Sequence, residues 1–347
     1  MSVCIVGSGP AGLYTARALL KRTDLKIDIF EKMAEPFGLV RWGVAPDHII
    51  KKGDKLQEYQ RILADSRVSL RLNHNVTSLS GLLPNYKHIV LATGLQASRR
   101  SGVRGERTCP RVVTSMDFAF WYNGHPQPFT PPTMPKHGSR VMVVGHGNVA
   151  IDIARMLVQP LEVLRALPRL NKNFFDWRSS FDDVHVDVVG RGEFGLGRIS
   201  QSYLEEIANI KFCRTYVDPY PGHVTGSNER LNRNFHILKD LVFSKYKTKL
   251  DVNTVQLRYN YAPVEYRTDG DRVVVESGDQ GGKYDLVIQS VGFETATDLF
   301  IPDPKVHRVG WAAHGARGTI SSNIEVAEKL VDSMGYGEVG GGDFGKV

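Results

Sequence analysis

Two stretches of this 347-residue chain repeat one construction: a β-branched run, a glycine-rich turn, then a segment with helical periodicity. The first is Val3-Cys4-Ile5-Val6 leading into Gly7-Ser8-Gly9-Pro10-Ala11-Gly12, with a helical pattern through Leu20. The second is Arg140-Val141-Met142-Val143-Val144 leading into Gly145-His146-Gly147-Asn148-Val149-Ala150, with a helical pattern through Leu157. A strand that turns on glycine into a helix opens a βαβ unit, so the repeat confines the chain to an α/β fold with two Rossmann-like dinucleotide-binding domains. Each position has its own mechanics. Gly7 permits the tight turn, Gly9 lets main chain approach a pyrophosphate, and Gly12 lets helix pack on strand, while the helix N-terminus favours negative charge. Pro10 suits the first helical position, whose N–H has no helical partner.

The residues that follow each turn suggest what is held there. Glu31 ends the second strand-like run 19 residues after Gly12, close to the ~20 expected of a carboxylate that accepts ribose hydroxyls. The first ligand can be NAD or FAD on this evidence, and Ala92-Thr93-Gly94 supplies a second strand end able to pack near it. In the second domain the strand at 184–189 leads to Gly190-Arg191-Gly192. An arginine there suits a 2′-phosphate, which favours NADP over NAD, and Arg198 can add a second positive charge. Two dinucleotide sites in one chain suit a nicotinamide that gives two electrons to a flavin, which releases them singly.

Around these units, residues 68–79 and 88–94 supply further strands of the first domain, and 272–276 and 285–291 later strands of the second. Residues 306–334 give a short strand, a glycine turn and an amphipathic helix with Ile320, Ile324, Ala327 and Leu330 on one face. The stretch 121–139, with Pro126, Pro128, Pro131, Pro132 and Pro135, is expected to be a linker. The NADP domain, 108–296, is thus expected to be inserted into an FAD domain made of 1–107 and 297–347, with 335–347 a loose glycine-rich tail.

With 41% hydrophobic and 23% charged residues the composition is that of a soluble globular protein, and disorder, collagen and coiled coil are excluded as the main architecture. No apolar run approaches the ~20 residues a membrane helix needs. Cys4, Cys109 and Cys213 stand far apart. They make neither a disulfide framework nor a metal site, and the lack of a Cys-x-x-Cys pair argues against disulfide reductases. There are 44 basic and 37 acidic residues, a net +7, with a pI near 9.2. Nucleic acid is rejected as a partner because no binding motif accompanies the charge. Met1 is followed at once by a strand, so no signal or transit peptide is expected in this chain, either because none exists or because this is a mature or incomplete form.

The run Glu35-Pro36-Phe37-Gly38-Leu39-Val40-Arg41-Trp42-Gly43-Val44-Ala45-Pro46-Asp47-His48 is more particular than composition can produce. Together with Gly-Ser-Gly-Pro-Ala-Gly, Trp121-Tyr122-Asn123-Gly124 and Gly-His-Gly-Asn-Val-Ala-Ile-Asp-Ile-Ala-Arg at 145–155, it resembles the adrenodoxin reductase family of ferredoxin–NADP reductases. The run also points away from glutamate synthase small subunits. The resemblance implies a flavoprotein oxidoreductase that passes electrons from NADPH through FAD to a [2Fe–2S] ferredoxin. It implies FAD contacts at Ala11, Glu31, Leu39, Val76, Trp311, Gly318, Thr319 and Ile320, beside the turn residues Gly7, Gly9 and Gly12. It implies NADP contacts at His146, Gly147, Asn148, Val149, Arg191 and Gly318, beside Gly145, and catalytic positions at His48 and Asp152. No metal site is expected, and a monomer is. The family is mitochondrial in eukaryotes and cytoplasmic in bacteria, and the mitochondrial matrix is favoured here.

Departures from the family pattern matter. Two consecutive arginines are expected for the 2′-phosphate, and Arg191 is followed by Gly192; the glutamate expected twelve residues after the first arginine is Tyr203. Losing one charge-assisted contact costs on the order of 1.5–3 kcal/mol, tenfold or more in affinity. An NADH-preferring flavin reductase and a catalytically impaired FAD-binding partner or scaffold are therefore the alternative functions. After Trp311 the usual arginine is His314, though Gly315 and Gly318 are kept. Finally, residues 229–250 hold six cations (Arg230, Arg233, Lys239, Lys245, Lys247, Lys249) against Glu229 and Asp240, a surface that would attract an acidic ferredoxin.

Overall fold

In each half of the molecule a parallel sheet begins from a strand buried on both faces. The structure is a computed structural model that describes residues 2–51, 53–194, 198–217, 234, 237–241, 253–296, 299–316 and 320–337. The chain divides into two compact units, one of Met1–Gly43, His48–Ala97 and Gly292–Val347, the other of Val44–Asp47 and Ser98–Val291.

The first unit holds five parallel strands in the order Val306–Arg308, His88–Leu91, Ser2–Val6, Lys26–Phe30, Val68–Arg71. Val3 and Ile5 face one side with Leu13, Ala16 and Leu19 of the helix Pro10–Arg22. Cys4 and Val6 face the other with Phe30, Leu79 and Ile89. Apolar residues on both faces are what a covered parallel strand requires. The helix Ser322–Ser333 adds Ala327 and Val331 to the first cluster, and Asp332 receives a 2.6 Å bond from Arg22 in the last turn of Pro10–Arg22.

The second unit holds six parallel strands in the order Val112–Thr114, Leu286–Gln289, Ser139–Val144, Val184–Val189, Asn253–Arg258, Cys213–Val217. Its central helix, Asn148–Val158, is buried from Ala150 to Val158. A separate antiparallel sheet comprises Glu265–Asp269, Arg272–Glu276 and Gly282–Tyr284. Residues 272–276, expected as a later strand of the second domain, form one in this separate sheet, where Asp269-Gly270-Asp271 closes a hairpin with Gly270 at φ +56°.

The proline-rich stretch is not a linker. Val112–Thr114, which precedes it, already belongs to the second sheet. Met134 is buried, Phe129 packs on the core, and the Trp177 Nε1–H donates to the Pro132 carbonyl at 2.8 Å. Proline removes the N–H groups that a ladder needs, so the segment lacks strands, yet its apolar side chains still pack. In the first unit only Val68–Arg71 of the expected 68–79 strands forms.

No helix among the described residues is long and apolar enough to cross a membrane.

Candidate functional site

Both glycine turns sit where strand order reverses, between Ser2–Val6 and His88–Leu91 in one sheet and between Ser139–Val144 and Leu286–Gln289 in the other. Open α/β sheets bind ligands at such switch points, outside the carboxyl ends of the strands. The two turns share one set of main-chain hydrogen bonds. The Gly7 N–H donates to the Phe30 carbonyl at 2.8 Å and the Gly145 N–H to that of Val189 at 2.8 Å. Across the switch, the Ala92 N–H donates to Val6 and the Ser290 N–H to Val144. Gly7 has φ +109°, and a Cβ there would lie 2.4 Å from the Ala92 carbonyl oxygen; Gly145 has φ +138°, and its Cβ would lie 2.1 Å from that of Ser290. Only glycine fits either place.

Next to each blocked glycine is an open one. A Cβ on Gly9 or Gly147 would meet nothing within 4 Å. Both residues N-cap a helix without any side-chain cap, so the first N–H groups are available to an outside acceptor, and the helix dipole favours an anion there.

In the first unit the structure brings Gly7, Gly9, Ala11, Gly12 and Glu31 together. Glu31 is 7% exposed. Its Oε2 accepts from the Ser8 N–H at 3.0 Å and the Ser8 hydroxyl at 2.6 Å, and its Oε1 from the Met33 N–H at 3.0 Å. Ser8, which sequence reasoning did not single out, thus orients the expected ribose acceptor, which retains lone pairs for more donors. Gly38, at φ +51°, caps the short helix that Leu39 opens, and a Cβ on it would stand 3.3 Å from the Gly9 Cα. Gly310 abuts Ala11, where an added Cβ would come within 2.6 Å of the Ala11 Cβ. This places Trp311, stacked on Phe293 at 6.0 Å, next in chain to the helix start. Ile320 packs in the helix-side cluster, whereas Val76 packs on the opposite face of the sheet with the cluster of Cys4 and Val6. His48 is buried. Gly318 and Thr319 lie outside the described residues, as do most of the basic segment 229–250 and the tail beyond Gly337.

In the second unit the His146 ring turns inward. Its Nε2 donates to the Val188 carbonyl at 3.1 Å, it stands edge-on to Tyr259, and a Cβ on Gly190 would strike it at 2.7 Å. Burial pushes its pKa down to about 4, against the opposing Val188 bond, so the ring is neutral at pH 7. What His146 offers a ligand is main chain. Asn148 is engaged twice with Ser200: its Oδ1 accepts from the Ser200 N–H at 2.8 Å and its Nδ2 donates to the hydroxyl at 2.9 Å. Arg191 is exposed beyond the Val184–Val189 strand.

Asp152 points into the unit from the buried helix. The Arg155 guanidinium, 2% exposed, donates to Asp152 Oδ1 at 2.7 Å and to Asp47, and lies 3.5 Å from Glu206. Burial lifts the Asp152 carboxyl to about 7 despite that arginine, with Asp47 and Glu206 adding to the rise. The Asn123 amide donates to the Val44 carbonyl at 3.1 Å, so the four-residue piece Val44–Asp47 is held at both ends within this unit. Of this cluster the sequence indicated only Asp152.

Among the described residues no group of three or more His, Cys, Asp or Glu side chains could hold a metal ion. Cys4, Cys109 and Cys213 are buried and lie outside any disulfide, and burial raises the Cys4 thiol to about 12.

The family model described as pyridine nucleotide-disulphide oxidoreductase matches residues 1–180. The chain is 26% identical, over an alignment of 403 residues, to the mitochondrial NADPH:adrenodoxin oxidoreductase of Arabidopsis thaliana, covering 96% of this chain and 81% of that protein. It is 26% identical over 397 residues to the NADPH-ferredoxin reductase FprA of Mycobacterium leprae, covering 99% and 85%. Among solved structures it is similar to Mycobacterium tuberculosis FprA in complex with NADPH, with a TM-score of 0.83 and 26% identity over 96% of this chain and 83% of that one.

Proposed function

Since the chain belongs to the pyridine nucleotide-disulphide oxidoreductase family, we propose that it is a flavoprotein reductase carrying electrons from NADPH through FAD to a [2Fe–2S] ferredoxin of adrenodoxin type. The observation that carries the reading is the pair of like-built glycine turns, each with an uncapped helix start over an open glycine. The names of the relatives, NADPH-dependent reductases of adrenodoxin and ferredoxin, support it. Disulfide chemistry is the poorer fit, because the three cysteines are dispersed and buried and Cys4 stays a thiol at neutral pH.

The residues present fit both dinucleotides. In the first unit the N–H groups at the start of Pro10–Arg22 would hold the pyrophosphate of FAD and Glu31 would accept its ribose hydroxyls. Ala11, Leu39, Val76, Trp311 and the 318–320 turn are the further FAD positions that the family resemblance supplies. When bound, FAD supplies the conversion of a two-electron input into single-electron outputs. In the second unit Gly147, Asn148 and Val149 present the helix start to NADP, with Arg191 at the strand end for the 2′-phosphate. His48 and Asp152 are assigned as the catalytic positions; Asp152, lifted to about 7, exchanges a proton near neutral pH. We further assign FAD to the discontinuous unit and NADP to the inserted one. The mitochondrial names of the eukaryotic relatives support a mitochondrial setting; a monomer in the matrix, or in the cytoplasm of a bacterium, completes this reading.

The test is anaerobic, stopped-flow reduction of the purified protein. It should be yellow, and NADPH should bleach it. Bleaching by NADH alone would favour the NADH-preferring reductase that Gly192 and Tyr203 suggest, and bleaching by neither would favour the scaffold. Arg191→Ala should raise KM for NADPH far more than for NADH, and equal effects would remove Arg191 from the 2′-phosphate.

A further inference from the structure

A nucleotide 2′-phosphate is nearly a dianion, and with Gly192 after Arg191 and Tyr203 in place of an ionisable partner, only one cation has so far been assigned to it. We propose that Arg198 is the second, a specificity-determining residue for the 2′-phosphate of NADPH. This rests on the reading that the second unit binds the nicotinamide dinucleotide.

Val189 lies opposite Val144 in the parallel pairing of their strands, and the Gly145 N–H donates to the Val189 carbonyl. The chain carrying Arg191 therefore leaves the sheet beside the glycine turn. It returns to the same turn seven residues later. The Arg198 N–H donates to the His146 carbonyl at 2.7 Å, and Arg198 forms a parallel bridge with Gly147. Two residues on, Ser200 is tied to Asn148 by the two bonds described above. Both ends of the excursion are thus fixed to one turn, with an arginine at each end. Both arginines are exposed, and Arg191 makes no ion pair among the described residues. Neither end can be supplied by His146, whose ring is turned inward and neutral.

The 2′-phosphate is the better-matched phosphate on grounds of supply. A pyrophosphate over Gly147 already has the uncapped N–H groups of Asn148–Val158, whereas the 2′-phosphate has only guanidinium groups to neutralise it. Guanidinium is suited to that task, with its fixed fork of donors matching phosphate oxygens. The tandem arrangement the family resemblance implies is in this view replaced by two arginines from opposite ends of one loop.

Equilibrium titrations of the flavin-loaded protein with NADP+ and NAD+, read by the flavin absorbance change and by calorimetry, test this. Arg198→Gln should weaken NADP+ by about tenfold or more and leave NAD+ within about twofold, and Arg198→Lys should recover part of the loss, since the charge is retained. Unchanged NADP+ affinity in Arg198→Gln would overturn the assignment. So would an equal loss for both nucleotides, which would place Arg198 at the pyrophosphate or in the support of the turn. Matching melting temperatures of variant and parent exclude a folding defect as the source of any loss. If the parent protein binds neither nucleotide, it is the reading of the second unit that fails; a parent that binds NADP+ beside an unaffected variant sinks only the role of Arg198.

Discussion

Replacing Arg155 by methionine keeps most of the side-chain length and removes the guanidinium from among Asp47, Asp152 and Glu206. The side chains of Asp152 and Asp47 are 6% and 17% exposed in these pairs, so water cannot take over the lost contacts. Stripping one partner from a buried ion pair costs about 3–5 kcal/mol. The cost should depend on pH, and its sign follows from Asp152. Burial raises that carboxyl from 3.8 to about 7 in the folded protein. The unfolded chain therefore loses the proton first, and stability falls as pH rises between these values, by roughly 4 kcal/mol at most from this group. Below the folded value Asp152 is protonated with or without Arg155 and needs no cation. Arg155→Met should therefore cost about 3–5 kcal/mol at pH 8 and about 1 kcal/mol less at pH 5.5, where mainly Asp47 is left unpaired. Urea unfolding followed by tryptophan fluorescence at the two pH values measures it. Asp152→Asn serves as the control, flattening the pH slope and reducing the cost of Arg155→Met at pH 8. A cost that is the same at both pH values, or under about 1 kcal/mol at pH 8, would refute the reasoning.

Gly145→Ala should abolish binding of nicotinamide nucleotide, and Gly7→Ala retention of flavin, because both place a Cβ within 2.4 Å of a main-chain oxygen at positive φ; Gly94→Ala, at φ +63° with open space around it, should cost only about 1 kcal/mol, and co-purified flavin absorbance separates these cases. Ser8→Ala removes the 2.6 Å hydroxyl bond to Glu31 while keeping the main-chain one, and should weaken flavin retention without emptying the site, as dialysis against chaotrope would measure. His88 and His307 are 3.1 Å apart on adjacent strands, and burial lowers both pKa values; stability should therefore drop as pH falls below about 6.5, and a His88→Gln, His307→Gln double variant that keeps the full slope would remove these rings as its source. Rising salt should slow reduction of a ferredoxin more than reduction of a small dye, and equal slowing would argue against electrostatic docking.

Local chemistry made the two strand–glycine–helix units legible without any structure, since positive φ at Gly7 and Gly145 and the approach of a helix N-terminus to a phosphate are demands on a handful of adjacent residues. The same holds for Glu31, whose distance from Gly12 is set by the length of one βαβ crossover. Contacts between residues remote in sequence were not legible. Nothing in Ser8 or Ser200 announces that it will orient Glu31 or Asn148. Asp152 and Arg155 are three residues apart on one helix, but no local pattern brings Asp47 and Glu206 to them, because these meet only when three segments pack. His146 stood as an expected nucleotide contact by position, but the Gly190 main chain and the Val188 carbonyl decided where its ring would go. The proline-rich 121–139 stretch shows the reverse case: its composition forbids strands, which the sequence states, while the burial of Met134 and the packing of Phe129 against Phe118 depend on a core gathered from residues as far apart as Ala45 and Ile288. What sequence determined alone was conformation that a few neighbouring φ angles and side-chain volumes dictate; tertiary structure decided which polar groups are desolvated together, and hence which of them carry shifted charge.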